Sequence, residues 1–148
     1  MKAVIQRVKK ANVEINGKIV GEIDKGIVIL VGFEKSDVEK IDEKIKYIAE
    51  KIVNLRIFED KEGKMNLSIK DVEGSLLVVS NFTIAASVKK GRRPSFDNAL
   101  SGDKARVFYE RFVDFLKRLN IKVETGEFQA YMKVNLINDG PVTFIVEK

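Results

Sequence analysis

Residues Ser75–Phe96 read SLLVVSNFTIAASVKKGRRPSF, and the abrupt changes of character along this stretch decide how the rest of the chain is arranged. Leu76, Leu77, Val78 and Val79 form a continuous run of aliphatic residues, the signature of a short strand buried on both faces. Ser80, Asn81 and Thr83 follow at once, with Phe82 among them. Hydroxyls and an amide at the end of a rigid buried strand are the groups a small binding or reaction site requires. They can also do no more than satisfy local backbone groups. Lys89, Lys90, Gly91, Arg92, Arg93 and Pro94 then form a basic loop suited to a phosphate-bearing partner.

Composition narrows the chemistry. The chain has 148 residues, enough for a single domain over 1–148 that buries roughly two-thirds of its unfolded surface. Histidine and cysteine are both absent. Disulfides, a thiol nucleophile, a Ser-His pair and Cys/His zinc sites are therefore excluded, and the sequence offers no metal ligand set. Catalysis would have to use hydroxyls, amides, carboxylates, lysine, backbone donors or a group on the substrate. No Gly-rich phosphate-binding pattern occurs, so no cofactor is expected. A net charge of +5 permits nucleic-acid binding without requiring it. The start of the chain, Met1-Lys2 followed by alternating sequence, lacks a long apolar block, and the expectation is a cytoplasmic protein.

Outward from the central stretch, Lys2 to Val8 alternates like a strand, and Val13–Ile15 and Lys18–Val20 flank Asn16-Gly17 as a hairpin. Ile27–Phe33, the most apolar run, is a central strand. From Ser36 to Leu55 the period changes: Val38, Ile41, Ile45, Ile48 and Ile52 mark one helical face, with Ser36 as N-cap and Glu39 completing a capping box. Leu55–Phe58 reads as a short strand. Asp103–Leu119 is a second helix with an aromatic face built on Phe108, Phe112 and Phe115. Tyr131–Ile137 and Val142–Val146 read as two strands joined at Asn138-Asp139-Gly140-Pro141 by an ordinary turn or by something more specialised. This order predicts an α/β fold of mixed, largely antiparallel β-sheet in β-β-α layers, barrel-like, with two main helices packed against one layer.

Several fragments taken in order carry more information: Gln6-Arg7-Val8, Arg56-Ile57-Phe58, Gly63-Lys64-Met65-Asn66, Ser80-Asn81-Phe82-Thr83-Ile84, Gly91 with Arg93-Pro94-Ser95-Phe96, and Asn138-Asp139-Gly140-Pro141-Val142-Thr143. With them the chain closely resembles the D-aminoacyl-tRNA deacylases nearly end to end. It departs from that family's Ser-Gln-Phe-Thr-Leu pattern at Asn81, where the amide is one methylene shorter, and at Ile84. The resemblance implies hydrolysis of the ester joining a D-amino acid, or glycine, to the 3′ end of tRNA. Such an ester is already activated and has a ribose hydroxyl beside it, so neither imidazole nor thiol is needed.

The resemblance also implies roles for particular residues. Asn81, Phe82 and Thr83 would surround the scissile carbonyl, with Thr83 positioning rather than attacking because no base is visible to activate it. Ser80 would hold the terminal adenosine. Gly140 and Pro141, through a cis bond, would enter the other subunit's site in a homodimer and reject L side chains. Arg7 and Asn138 would support that loop, Met65, Phe96 and Met132 would line the pocket, and Lys89, Lys90 and Arg92 would contact tRNA phosphates. Two other functions fit the residues: a non-catalytic RNA-binding module using the basic loop with Phe82 and Phe96, and a structural dimer in which Gly140-Pro141 is only an interface turn.

Overall fold

The hairpin at Asn16-Gly17 joins strands longer than the sequence suggests. In the computed structural model, which describes residues 1–148, Lys2 to Ile15 form one continuous strand, β1 (Lys2–Ile15). The alternation read over Lys2 to Val8 thus runs on to Ile15: Lys9 and Lys10 face solvent while Val8, Ala11 and Val13 stay buried. The chain continues through β2 (Lys18–Ile23), β3 (Gly26–Gly32), α1 (Ile41–Asn54), β4 (Phe58–Glu59) and β5 (Met65–Leu67). It ends with β6 (Ser75–Ser80), α2 (Gly102–Lys117), β7 (Lys122–Thr125) and β8 (Lys133–Glu147).

Six strands form one sheet in the order β2-β1-β3-β6-β7, with β8 on the other edge of β1. The three pairings of β1 are antiparallel, whereas β3 with β6 and β6 with β7 are parallel. Parallel neighbours need long crossovers, and α1 and α2 supply them. The sequence reading did not anticipate β7, a short strand of mixed polarity. It lies against β2, where a Cβ at Gly21 would stand 2.4 Å from the Thr125 carbonyl oxygen. The bare backbone at Gly21 thus lets the ends of the sheet approach, and the sheet curls into a nearly closed barrel. The small β4–β5 ribbon stands apart.

Burial of β6 on both faces is as the aliphatic run predicts. Leu76 and Val78 join the larger core with Ile48 and Ile52 of α1 and Phe112 and Leu116 of α2. Leu77 and Val79 join the barrel interior with Val8, Val13, Ile23 and Val28. Full burial of each such side chain is worth roughly 1.5–3 kcal/mol, so displacing β6 would disrupt two cores at once.

Two local readings are corrected. Ser36 does not cap a helix: it lies inside a 3₁₀ turn, Lys35–Lys40, that precedes α1, and Val38 is exposed there. The capping carboxylate is Asp37, which accepts the Glu34 N–H at 2.7 Å. Asp37 is fully buried, and it also accepts from Lys44 Nζ at 2.7 Å and from the Met1 amine. The second correction concerns the C-terminal strands, which are one strand. Gln6 pairs with Thr143 and Val8 with Asn138, so Asp139, Gly140, Pro141 and Val142 all stand opposite Arg7 as a bulge within β8. The Gly140-Pro141 bond in it is cis. No helix is long and apolar enough to cross a membrane.

Burial by itself favours protonated Asp37, but the hydrogen bonds from Lys44, Met1 and Glu34 outweigh it and hold the carboxyl below its ordinary value. A depressed carboxyl contributes stability that is present above its unfolded pKa, about pH 4, and lost as pH falls through the lower folded value. Asp37→Asn should therefore cost about 3 kcal/mol at pH 7, by leaving buried donors unpaired, and should flatten the acid limb of the stability curve. Urea denaturation between pH 3 and 7 measures both.

Candidate active site

A cavity of ≈ 890 Å³ opens at the carboxyl ends of the parallel neighbours β3 and β6. Strand carboxyl ends are where α/β sheets bind ligands, because the crossover connections diverge there. Leu30 to Phe33 form one wall, Val79 to Thr83 a second, and the segment from Phe128 to Met132 a third, with Gly102 and Ala105 of α2 between them.

The second wall is shaped by a short 3₁₀ turn, Phe82–Ala85, that stops β6. Asn81 caps this turn: its Oδ1 accepts the Thr83 N–H at 3.1 Å and the Thr83 hydroxyl at 2.5 Å. The shorter amide therefore has a local task, closing the turn on itself. Asn81 N–H donates to the Val31 carbonyl at 2.8 Å and is also engaged. Phe82 N–H, at the first position of the turn, has no carbonyl within the turn to bond. Close approach makes the arrangement possible, since a Cβ on Gly32 would meet the Asn81 carbonyl oxygen at 2.8 Å and Ile84 Cβ at 3.1 Å.

The lining residues include no Asp, Glu, Lys or Arg. Thr83 Oγ1 thus faces an amide oxygen rather than a base, and the wall can orient and polarise a ligand but cannot strongly deprotonate one. No group of three or more carboxylates converges anywhere in the chain in a way that could hold a metal ion.

Of the residues singled out from sequence, Ser80, Asn81, Phe82, Thr83 and Met132 share this cavity. Phe96 lies outside its wall, with its ring packed on Phe82 at 5.1 Å between centroids. Lys89, Lys90 and Arg92 lie on an exposed loop just before Phe96. Met65 sits exposed on β5, and Gly140 and Pro141 lie on the β8 bulge; within one chain none of the three reaches the cavity wall.

That bulge is firmly held. Buried Arg7 donates from Nη1 to the Ile57 carbonyl at 2.6 Å and from Nε to the Asp139 carbonyl at 3.0 Å, with the Glu59 carboxylate 3.8 Å from Nη2. Asn138 accepts the Val142 N–H at 2.9 Å and donates to Thr143 Oγ1 at 3.0 Å, closing the base of the bulge. Sequence reasoning missed the lining residues Gly32, Gly102, Phe128, Gln129 and Tyr131. Nothing in hydrophobic period flags them; only the crossing of α2 and the segment after β7 brings them together.

The D-Tyr-tRNA(Tyr) deacylase family profile matches residues 4–147. The chain belongs to this family. Proteins named D-aminoacyl-tRNA deacylase from Thermosipho africanus and Geobacter sulfurreducens are 54% and 55% identical to it over 147 residues, covering 99% of this chain and 97% and 95% of theirs. Among solved structures, the c-Myc DNA Unwinding Element Binding Protein is similar at TM-score 0.92 and 38% identity, covering 100% of this chain and 99% of that one. A structure described as a probable eukaryotic D-amino acid tRNA deacylase shares the fold at TM-score 0.84 and 18% identity, covering 99% and 98%. The double cap made by Asn81 at the cavity makes its contribution measurable. Asn81→Ala should lower stability by about 1 kcal/mol, a fall of about 2–4 °C in Tm, read by calorimetry.

Proposed function

We propose that the protein hydrolyses the ester of D-aminoacyl-tRNA, and of glycyl-tRNA, releasing the free amino acid and tRNA while rejecting L-aminoacyl-tRNA. The observation that carries this reading is the cavity at Asn81–Thr83, free of charged side chains, in a chain of the deacylase family. An aminoacyl ester needs orientation and charge stabilisation more than a strong base.

In the proposed reaction the oxygen of a water molecule attacks the ester carbonyl carbon. The oxyanion that develops takes the Phe82 N–H, and the Thr83 hydroxyl, held through Asn81, fixes the approach. As the carbon–oxygen bond to ribose breaks, the water proton passes to the leaving ribose oxygen, with the neighbouring ribose hydroxyl as relay. Ser80 and Met132 would border the terminal adenosine, and Lys89, Lys90 and Arg92 would meet phosphates. The residues require no cofactor for this sequence of steps.

The bulge would act in a homodimer. Gly140 and Pro141 do not line their own chain's cavity, and β8 exposes Ile137, Phe144 and Ile145 along a strand paired on one edge only. Unpaired edges and exposed apolar side chains favour coverage by a second chain. In such a dimer the carbonyl groups of Gly140 and Pro141 would hold the substrate amino group in the partner's cavity, near Met65. A rigid main chain there leaves room for hydrogen or a D side chain and clashes with an L side chain. A cytoplasmic location accords with a tRNA substrate. A second reading, nucleic-acid binding without chemistry, is favoured by the exposed basic loop and by the name of the 38% identical structure.

Incubation with D-Tyr-tRNA and L-Tyr-tRNA separates the readings: release of the D-amino acid alone is expected, and binding without release would favour the second. Thr83→Ala should lower kcat about tenfold to hundredfold without abolishing turnover, whereas complete loss with a trapped acyl-enzyme in the native protein would make Thr83 the nucleophile. Arg7→Lys, which cannot bridge Ile57 and Asp139 with a planar fork, should loosen the bulge and reduce the D-over-L ratio of kcat/KM about tenfold. An unchanged ratio would remove the bulge from chiral selection.

A further inference from the structure

Phe82 and Phe96 are large apolar side chains left 61% and 42% exposed, packed on each other at 5.1 Å with their planes inclined at 49°. The pair stands at the cavity mouth, since Phe82 lines the wall and Phe96 does not. Directly before Phe96 the chain is pinned: Ser87 and Ser95 exchange backbone hydrogen bonds, N–H to carbonyl, at 2.8 and 2.9 Å. This bridge closes the loop 88–94 and fixes its base against the ring pair. Lys89, Lys90, Arg92 and Arg93 all lie in that loop, all are exposed, and none takes part in the chain's ion pairs. The nearby carboxylate, Asp97, is occupied by the Ser95 hydroxyl at 2.8 Å.

Exposed ring faces and unpaired cations side by side match one polymer better than others. A single strand of nucleic acid alternates flat apolar bases with phosphates and can engage both sets together. A duplex hides its base faces, and an acidic peptide would leave the rings in water.

We propose that Phe82, Phe96 and the 88–94 loop form a platform for single-stranded nucleotides at the cavity mouth, on which a base stacks against the Phe96 ring while the loop cations hold the flanking phosphates. The inference rests on the proposed function in one respect: the bound strand is then the segment leading to the esterified terminal nucleoside. Stacking and phosphate contacts ignore the 2′-hydroxyl, so a deoxyribose strand of the same length binds the platform as well.

The test is fluorescence anisotropy of the full-length protein with a labelled, unacylated single-stranded hexaribonucleotide, its deoxyribose counterpart and a blunt hairpin duplex. Both single strands are expected to bind more tightly than the duplex. Phe96→Ala should weaken single-strand binding on the order of tenfold, and Phe96→Trp should restore it. Lys90→Ala with Arg92→Ala should lower the slope of log affinity against log salt by about 1.4, roughly 0.7 for each lost phosphate contact. Unchanged affinity in Phe96→Ala, or equal affinity for the blunt duplex, overturns the platform. So does a change of oligomeric state in Phe96→Ala, measured by sedimentation, because a second copy of the chain would then be what covers the rings. These measurements use no acylated substrate, so absence of D-Tyr-tRNA hydrolysis would defeat the proposed function and leave the platform to stand or fall separately.

Discussion

The double burial of β6 is the constraint on which the rest of the molecule depends. Its alternate side chains face two different cores, Leu76 and Val78 toward the helices and Leu77 and Val79 toward the barrel interior. A slip by one residue would exchange the two sets and spoil both, so the register of β6 against β3 is fixed. The polar groups that follow inherit that rigidity. Ser80 ends the strand, Asn81 caps a turn that cannot drift, and Thr83 is held by the cap.

A second rigid feature stands elsewhere in the same chain. The β8 bulge is clamped by Arg7, which is buried because the long β1–β8 ladder and the β4–β5 ribbon close around it. Its guanidinium ties two carbonyl groups that are distant in sequence, Ile57 and Asp139. The molecule thus offers two preorganised main-chain features, a donor-bearing turn in the cavity and a projecting Gly-Pro bulge outside it. Their separation within one chain is the physical reason for the proposal that two copies act together.

The cavity also explains how a chain without histidine or cysteine fits ester chemistry. With no charged group in the wall, a bound ester meets a low-polarity surface with a few fixed dipoles, where each hydrogen bond counts for more than it would in water. The cations of the loop that follows the turn lie outside the cavity wall and are exposed.

Much of this was legible in the residues alone. The runs Leu76–Val79 and Ile27–Phe33 announced buried strands, the recurring isoleucines announced α1, the absence of histidine and cysteine excluded whole classes of mechanism, and the ordered fragments from Gln6 to Thr143 named the family. Those signals are local, carried by period, composition and motif. What the sequence could not decide depended on partners far along the chain. Lys9 and Lys10 did not interrupt β1 because pairing with β8 continued past them, and Gly140-Pro141 became a bulge because Gln6 and Val8 kept their partners on either side. Glu34 rather than Ser36 is the N-cap, and Asp37, on which Lys44 and the Met1 amine converge, completes its capping box. The short β7 exists as a strand because β6 offers it a parallel edge, and Phe128 to Met132 become a wall because α2 and β7 bring them across the barrel end. Local pattern fixes which elements can form, and only the closing of the sheet decides which neighbours they meet.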